Sequence, residues 1–294
     1  MKPLHIVLAV TLTVFWGLNF VLIRIGLDHY PPILFAVLRF LVAGLPVLLV
    51  KPPKVPFPQL IAISLALFVG QFGFLFPGMT AGYPPGLASL TLQVQGFFTV
   101  ILATMVLGER PKPRNIIGLI IAFAGLALIA TTVGSNGVTL TGLALILAAA
   151  LSWATGNVLL RGAGKVDMFA LTAWISAIAV LPLAILSLVF EGINADWAAI
   201  AAPTWAGIGA IAYVSIPTTV IGYWIWAELF KHYPAAMVAP FSLLTPITGA
   251  LSAWLLLGER FGSLRLGGMA LILAGLVVNT VPWGEWSGRR EKAQ

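Results

Sequence analysis

The chain has 294 residues, of which 60% are apolar and 9% are charged, and its mean hydropathy is +1.03. A soluble domain carries about 25% charged residues, so this composition excludes a water-facing globular surface and makes a lipid bilayer the expected solvent. The absence of cysteine excludes disulfides, thiolate metal sites and a cysteine nucleophile. The net charge of +7 is interpreted as Lys and Arg at the ends of membrane spans, in preference to nucleic-acid binding.

The hydrophobic pattern predicts ten membrane-spanning helices, because each interval offers about 20 mostly apolar residues. Open strands would leave backbone groups unpaired in lipid, and the alternation of a barrel is missing. The spans occupy residues 3–23, 33–50, two segments of 55–108 (broken at 81–86), two segments of 115–160 (broken at 134–137), 168–190, 197–227, 233–258 and 266–284. The first lacks a small-residue cleavage site, so we expect a retained span rather than a signal peptide. The second requires Arg39 to be tolerated near its start.

Lys and Arg are distributed unevenly between the two faces of this arrangement. The face that holds both termini carries twelve of them, and the opposite face carries four, namely Arg24, Arg39, Arg260 and Arg265. Positive charge favours the cytoplasmic side of a membrane protein. Both termini are therefore predicted to be cytoplasmic, in a multi-pass protein of the plasma membrane.

A pair of Gly-Glu-Arg phrases reveals that the chain contains two copies of one pattern. Seven residues of the first half recur 150 positions later: Tyr83, Pro84, Gly108, Glu109, Arg110, Gly118 and Gly125. Since each half has five helices, an odd number, the second copy must enter the membrane inverted, as in transporters whose substrate site lies between inverted halves. The predicted domains are a first five-helix repeat over 1–134, a second, inverted repeat over 135–284 and a cytoplasmic tail over 285–294.

The opening of each half follows a different offset. Trp16 recurs 137 positions later as Trp153, and Arg24 recurs as Arg161. The change of offset predicts extra residues in the second half, in the loop 191–203. The glycines at matched positions of the last helix in each half lie seven residues apart, on one helical face, which predicts close packing between helices.

Residues 15–27 (FWGLNFVLIRIGL), residues 38–44 (LRFLVAG) and the two Leu-Gly-Glu-Arg phrases resemble the EamA family of the drug/metabolite transporter superfamily. The resemblance covers nearly the whole chain, and within the family the chain is most similar to bacterial YddG-type exporters of aromatic and other amino acids. It implies an all-helical basket of ten helices around a central cavity, which exports small metabolites across the bacterial inner membrane by alternating access without a cofactor. The second half departs from the first where Ser176 aligns with Arg39, so a symmetric role for Arg39 is not expected.

Polar and aromatic side chains in the middle of the spans are the candidates for a substrate cavity. An amide left unpaired in lipid costs several kcal/mol, so each mid-span amide must face a cavity or another helix. Interhelical packing is the alternative, because polar side chains often join membrane helices. Amides and hydroxyls suit a zwitterion, and aromatic walls suit its apolar side chain, which favours amino acids as substrates. The candidate cavity residues are Trp16, Asn19, Gln71, Gln93, Gln95, Trp153, Asn157, Tyr213, Thr218, Tyr223, Ser242 and Thr245.

A second group of residues is predicted to have structural or gating roles. A proline within a span frees a backbone carbonyl, and such interruptions mark substrate sites in transporters. Each Gly-Glu-Arg phrase is interpreted as a helix end, at which glycine terminates the helix and the adjacent arginine neutralises the glutamate. A proton-carrying glutamate is the alternative. The candidate structural or gating residues are Tyr83, Pro84, Glu109, Arg110, Pro217, Tyr233, Pro234, Pro240, Pro246, Glu259 and Arg260.

All nine acidic residues fall at or beyond the ends of the predicted spans, although Glu228 could lie deeper than its position indicates. A proton-driven antiporter usually places an ionisable group deep in the membrane, so this distribution predicts transport down the substrate gradient without a carboxylate relay. The competing interpretations are an exporter of drugs or other metabolites and, more remotely, an intramembrane enzyme. No His-Glu-x-x-His or P-loop motif is present to favour the enzyme. The expected partners are amino acids and lipid, without nucleic acid or metal, and a monomer fits the sequence.

Overall fold

The structure is a computed structural model that describes residues 1–134, 138–164 and 166–280. Throughout these ranges the regular structure is helical, with no strand. The predicted tail over 285–294 and the end of the last predicted span therefore lie outside the described residues. The α-helices are α1 (Pro3–Leu27), α2 (Pro32–Ala43), α3 (Phe57–Ser64), α4 (Gln71–Thr80), α5 (Pro85–Thr91), α6 (Gln95–Leu107), α7 (Pro113–Ala130), α8 (Leu140–Arg161), α9 (Met168–Phe190), α10 (Ile193–Ala201), α11 (Trp205–Ser215), α12 (Gly222–His232), α13 (Ala235–Val238), α14 (Leu244–Leu257) and α15 (Ser263–Thr280).

Five short irregular turns interrupt or extend these helices. They are two π-helical turns, Leu65–Gly70 and Ile216–Ile221, and three 3-10 turns, Leu45–Leu48, Leu92–Val94 and Ala239–Leu243. Several helices join through such turns into one continuous span: α3 continues into α4, α5 into α6, and α11 into α12. The interruptions therefore lie inside spans rather than in the loops between them.

Nine helical segments in the described ranges are long and apolar enough to cross a membrane, which confirms a multi-pass membrane protein. They are Pro3–Leu27, Phe57–Thr80, Pro85–Leu107, Pro113–Ala130, Leu140–Arg161, Met168–Phe190, Trp205–His232, Pro240–Leu257 and Ser263–Thr280. The segment predicted over 33–50 is the apolar but shorter helix Pro32–Leu48. At 1.5 Å per residue, α2 alone is shorter than the roughly 30 Å hydrocarbon core of a bilayer.

Two boundaries predicted from the sequence were wrong. The predicted loop 191–203 contains the helix α10, and the following span is Trp205–His232 rather than 197–227. Helix α10 is anchored because the Ser187 hydroxyl lies within hydrogen-bond distance of both carboxylates, 2.7 Å from Glu191 and 2.9 Å from Asp196. The Glu191 carboxylate also accepts hydrogen bonds from the first N–H groups of α2, at 2.6 and 2.9 Å. A carboxylate at a helix N-terminus is favourable, so this stretch orders two helices at once.

The two Gly-Glu-Arg phrases end their helices in the same way, which confirms the predicted role of glycine. Gly108 ends α6 with φ 66° and ψ 18°, and Gly258 ends α14 with φ 65° and ψ 22°. The next backbone N–H turns back to a helix carbonyl, that of Ala103 or that of Ala253. This left-handed conformation favours glycine, because a side chain there would clash with the backbone.

The predicted glycine packing surfaces are confirmed in the contact between α7 and α15. A methyl group at Gly275 would lie 2.5 Å from the carbonyl oxygen of Gly118, and one at Gly125 would lie 2.6 Å from that of Gly268. Gly118 thus faces Gly275 while Gly125 faces Gly268, so the two helices run antiparallel. Their backbones approach as closely as glycine permits, which is how small residues join membrane helices.

Phenylalanine rings fill the interior where α2 meets the span formed by α3 and α4. Phe40 stacks on Phe68 with ring centroids 4.5 Å apart, and Phe72 meets Phe40 edge to face at 5.2 Å. Such aromatic pairs contribute roughly 0.5–1.5 kcal/mol each beyond the area they bury. They fix α2, and with it Arg39, against the helix that carries Gln71.

Candidate functional site

A cavity of about 350 Å³ lies in the middle of the helix bundle. Its lining includes eleven of the twelve predicted cavity residues: Trp16, Asn19, Gln71, Gln93, Gln95, Trp153, Asn157, Thr218, Tyr223, Ser242 and Thr245. Side chains that the sequence did not single out complete it: Phe20, Arg39, Phe72, Leu75, Ser89, Leu92 and Trp226. The structure therefore brings together residues up to 229 positions apart in sequence, from Trp16 to Thr245.

Tyr213 is the one predicted cavity residue that lies outside this lining. Its hydroxyl points to the carbonyl of Phe15 at 3.4 Å, and its ring meets the Phe15 ring edge to face. Tyr213 is one turn before the π-helical turn Ile216–Ile221, and it faces the side of α1 rather than the cavity. Its role in the structure is to pack α11 against α1.

The irregular turns position much of the polar lining. Gln71 follows the π-helical turn Leu65–Gly70, and Tyr223 follows the equivalent turn Ile216–Ile221. Gln93 and Ser242 lie within 3-10 turns. Irregular turns inside a helix are frequent at functional sites, because they aim side chains that a regular helix would direct elsewhere.

Of the four irregular turns that carry or adjoin these lining residues, only the two in the second half contain a proline. Pro217 lies in the second π-helical turn and Pro240 in the 3-10 turn Ala239–Leu243, as the sequence predicted, while Pro246 lies buried in the first turn of α14. The corresponding turns of the first half, Leu65–Gly70 and Leu92–Val94, contain no proline. No local sequence signal marks them.

Backbone carbonyls within the π-helical turns take side-chain donors from distant helices. The indole Nε1 of Trp16 donates to the Thr218 carbonyl at 3.0 Å. The Ser152 hydroxyl, on α8, donates to the Ala66 carbonyl at 2.8 Å. A carbonyl freed inside a membrane must find such a partner, so these bonds stabilise the irregular backbone beside the cavity.

Two of the amide side chains in the lining have a carbonyl oxygen without a hydrogen-bond partner among the described residues. Asn157 Nδ2 donates to the Thr99 hydroxyl at 3.2 Å, and the Thr218 hydroxyl lies 3.2 Å from Asn19 Oδ1. The Oε1 atoms of Gln71 and Gln95 are buried without a hydrogen-bond partner among the described residues. A buried acceptor without a donor is costly, so these two oxygens are expected to accept hydrogen bonds from a bound molecule or from water.

The prediction for Arg39 was wrong. The sequence placed it among the charges near one membrane face, but its side chain is 5% exposed and lines the cavity. A signal was present in the sequence, because Arg39 stands alone within an otherwise apolar stretch. An ionisable residue inside a membrane span marks a functional site more often than a topological one.

The arginine of each Gly-Glu-Arg phrase is not the partner of its glutamate, which corrects that part of the prediction. Glu109 forms an ion pair with Arg161 at the end of α8. Glu259 Oε2 instead accepts a hydrogen bond from the Gly86 N–H at 2.9 Å, at the N-terminus of α5. Arg110 and Arg260 are both exposed. Burial raises the pKa of Glu259 above its usual range, while the nearby backbone N–H groups and Arg265 act in the opposite direction.

The two Tyr-Pro pairs also differ in their surroundings. Burial raises the pKa of Tyr83, while the hydrogen bond between its hydroxyl and that of Thr91, at 2.7 Å, acts in the opposite direction. The Tyr233 hydroxyl accepts from the Lys2 backbone N–H at 3.0 Å and lies 2.8 Å from His5 Nδ1. Pro84 immediately precedes α5, and Pro234 immediately precedes α13. Tyr83 and Pro84 therefore lie in a packed interior, whereas Tyr233 and Pro234 lie beside the first residues of the chain.

No carboxylate lines the cavity within the described ranges. Glu228, for which a deeper position was open, pairs with Lys231 at 3.2 Å and lies 3.4 Å from His232 at the end of α12. The described residues also contain no cluster of His, Cys, Asp and Glu that could hold a metal ion. The chemistry that the cavity offers is that of amides, hydroxyls, aromatic rings and one guanidinium group.

A helical membrane bundle around a central cavity with both aromatic and polar lining residues defines a multi-pass membrane protein with a site for a small molecule. Residues 3–131 and 140–281 match the EamA-like transporter family, and the chain belongs to this family. The family indicates a transporter rather than an enzyme.

Two curated relatives are similar over nearly their whole length. A protein of Salmonella typhimurium (strain LT2) named "Probable amino-acid metabolite efflux pump" is 39% identical, covering 92% of this chain and 93% of that protein. A protein of the same name from Escherichia coli (strain K12) is 38% identical, covering 93% of each chain. A solved crystal structure superimposes with a TM-score of 0.65 over 95% of this chain and 99% of the other, at 18% identity, which shows a shared fold.

Proposed function

We propose that this protein exports amino acids, preferably neutral and aromatic ones, and related small metabolites across the bacterial inner membrane. The observation that carries the proposal is the central cavity, in which amides, hydroxyls and indole rings converge. Its volume of about 350 Å³ lies within the range of about 300–1,000 Å³ usual for small-molecule sites. The names of the relatives from Salmonella typhimurium and Escherichia coli support amino-acid metabolites as the substrate class.

The lining suits an amino acid in two respects. The unpaired carbonyl oxygens of Gln71 and Gln95 can accept hydrogen bonds from a substrate ammonium group. The rings of Trp16, Trp153 and Trp226 offer apolar walls for a substrate side chain. Export of drugs or other metabolites is the second candidate, because the same aromatic walls would accept other apolar molecules.

We infer a transport cycle by alternating access between two inverted five-helix halves, the first over 1–134 and the second over 135–284. Three features support this inference. Helix α7 is the last helix of the first half, α15 is the last described helix of the second half, and the two run antiparallel. Irregular turns recur at matched positions of both halves. The uneven distribution of Lys and Arg favours a cytoplasmic position for both termini, and with them for Glu109.

Packing at the end of the cavity near Glu259 indicates which side is closed. Glu259 Oε2 accepts from the Gly86 N–H at 2.9 Å, and a methyl group at Gly86 would lie 2.7 Å from Phe261 Cζ. These contacts join the segment after α14 to the start of α5. We therefore infer that the cavity opens toward the face that carries Glu109, from which an exported substrate would enter.

Competition among amino acids in proteoliposomes tests the proposed function. We expect neutral and aromatic amino acids to compete for uptake of labelled L-phenylalanine, with no requirement for a pH gradient because the described lining has no carboxylate. A strict requirement for a pH gradient would reject the facilitator mechanism. Competition by cationic drugs but not by amino acids would favour the second candidate.

A further inference from the structure

Arg39 is the only charged side chain among the described residues that line the cavity. Its Nη2 atom donates to the Thr219 hydroxyl at 3.1 Å, and its guanidinium carbon lies 4.2 Å from the centre of the Phe72 ring. Its own backbone carbonyl accepts from the Ser215 hydroxyl at 3.0 Å. These contacts hold the side chain in one place, but none of them supplies a negative charge.

Two of the three nitrogens of this guanidinium group lack a partner. Nε and Nη1 of Arg39 are buried without a hydrogen bond among the described residues. A buried charge that is neither paired nor fully hydrogen-bonded costs several kcal/mol, and proteins normally pair such a group. Contact with the Phe72 ring compensates only part of this cost, because a cation–π interaction contributes roughly 0.5–2 kcal/mol. The N–H donors of Nε and Nη1 therefore lack an acceptor that an anion could supply.

We propose that Arg39 binds the carboxylate of the transported molecule, so that an anionic group is required of every good substrate. This inference rests on the proposed function and makes its substrate class more specific. The free N–H groups of Nε and Nη1 can each donate a charge-assisted hydrogen bond to a carboxylate oxygen, and such bonds are stronger than neutral ones. Gln71 and Gln95, whose carbonyl oxygens are unpaired, lie in the same lining and would hold the ammonium group.

The two halves of the chain indicate that there is one such anion site rather than two. At the offset of 137 that relates Trp16 to Trp153, Arg39 corresponds to Ser176. Ser176 is fully buried and does not line the cavity. A zwitterion bound at Arg39 would therefore have a single orientation, with its carboxylate toward α2.

The first arm of the test compares three probes of similar size on the wild-type protein in detergent. L-phenylalanine carries both charges, 3-phenylpropionate carries only the carboxylate, and phenethylamine carries only the ammonium group. Binding is followed by tryptophan fluorescence, since three tryptophans line the cavity. We expect phenethylamine to bind at least about tenfold more weakly than the two carboxylates, as for loss of a charged hydrogen bond.

The second arm changes the charge. We expect Arg39→Gln to weaken binding of both carboxylates by about tenfold or more without weakening that of phenethylamine, whose repulsion by Arg39 is removed, and Arg39→Lys to fall between Arg39→Gln and wild type. Arg24→Gln is the matched control, because Arg24 pairs with Asp28 at 2.7 Å outside the cavity. Gel filtration and thermal unfolding establish which variants are folded, and the wild-type arm decides the question if the Arg39 variants do not fold.

The outcomes separate the two proposals. Equal affinity for phenethylamine and L-phenylalanine would overturn the role of Arg39 and leave an amine-recognising exporter. A folded Arg39→Gln variant that binds carboxylates as wild type does would also overturn it, since a merely structural arginine would not discriminate among probes. Binding of none of the three probes would reject the proposed substrate class, and the anion site with it.

Discussion

The two Gly-Glu-Arg corners have the same local sequence and the same backbone, yet they contact the rest of the molecule differently. At the Glu259 face, which we define by Tyr83, Gly86, Glu259 and Arg265, the glutamate is partly buried and binds the N-terminus of α5. At the Glu109 face, defined by Glu109, Arg161 and Tyr233, the glutamate is 49% exposed and pairs with a surface arginine. A short phrase thus determines where a helix ends, whereas the opposing helix determines what its charged side chain does.

Residues beside each phrase account for part of the difference. A methyl group at Gly86 would lie 2.7 Å from Phe261 Cζ, so the ring that follows Arg260 packs directly on α5. At the offset of 150, Phe261 corresponds to Pro111 and Gly86 corresponds to Ala236. The positions that match this contact are Pro111 and Ala236, so the sequence at the Glu109 corner supplies neither the ring nor the glycine that permit it.

The largest expected effect is on access to the cavity from the two faces. The chain has no cysteine, so a maleimide can modify only the thiol that a single substitution introduces. We expect Thr245→Cys, in the cavity lining, to react with an impermeant maleimide from the Glu109 face and hardly at all from the Glu259 face. Thr131→Cys is the control for the Glu259 face, because Thr131 is exposed at the end of α7, beside the residue that bonds Arg265. Faster labelling of Thr245→Cys from the Glu259 face would reverse the assigned opening.

The next largest effect concerns the helix pair that follows the two corners. Gly275→Ala places a methyl group 2.5 Å from a backbone oxygen of α7, so α7 and α15 must separate, and we expect a loss of roughly 1–3 kcal/mol in the free energy of unfolding. Gly209→Ala is the control, since nothing lies within 4 Å of that position in α11. There we expect no loss, or a gain of roughly 0.4–1 kcal/mol. Equal unfolding temperatures for both variants would contradict the packing argument.

Removing each glutamate compares the corners directly. We expect Glu259→Ala to lower the free energy of unfolding by about 1–2 kcal/mol, because the Gly86 N–H loses its acceptor in a partly buried site. Glu109→Ala breaks an ion pair whose partners are 44% and 49% exposed, and such pairs contribute about 0–1 kcal/mol. Thermal unfolding in detergent measures both. A larger loss for Glu109→Ala would show that the exposed corner, and not the packed one, holds the structure together.

The smallest effect is on the pH dependence of stability. Burial raises the pKa of Glu259 in the folded state above its ordinary value near 4.5. The folded protein thus retains this proton at pH values where the unfolded chain has lost it, so the contribution favours folding at low pH and is lost as pH rises through the folded pKa. We expect the unfolding temperature of wild type to fall with rising pH over this window, relative to Glu259→Gln. Parallel pH profiles for the two proteins would contradict the burial of this carboxylate.

The sequence predicted what depends on local pattern or on repetition. Apolar intervals gave most of the spans, and the repeated glycines gave the contact between α7 and α15. Mid-span amides and tryptophans were expected to converge because inverted halves bring their middles together, and eleven of the twelve candidates do line the cavity.

What the sequence missed depends on partners far along the chain. Arg161 lies 52 positions from Glu109, and no pattern links them. The direction that Arg39 faces is set by the Phe40, Phe68 and Phe72 rings, which meet only when α2 packs against α4. The π-helical turn Leu65–Gly70 lacks proline, so its irregular backbone follows from packing rather than from local chemistry.

The hydrogen bonds across the π-helical turns bear on how the chain is assembled. Trp16 satisfies a carbonyl in residues 216–221, and Ser152 satisfies one in residues 65–70, so each half completes the backbone of the other. During synthesis the Ala66 carbonyl has no such donor until α8 has entered the membrane.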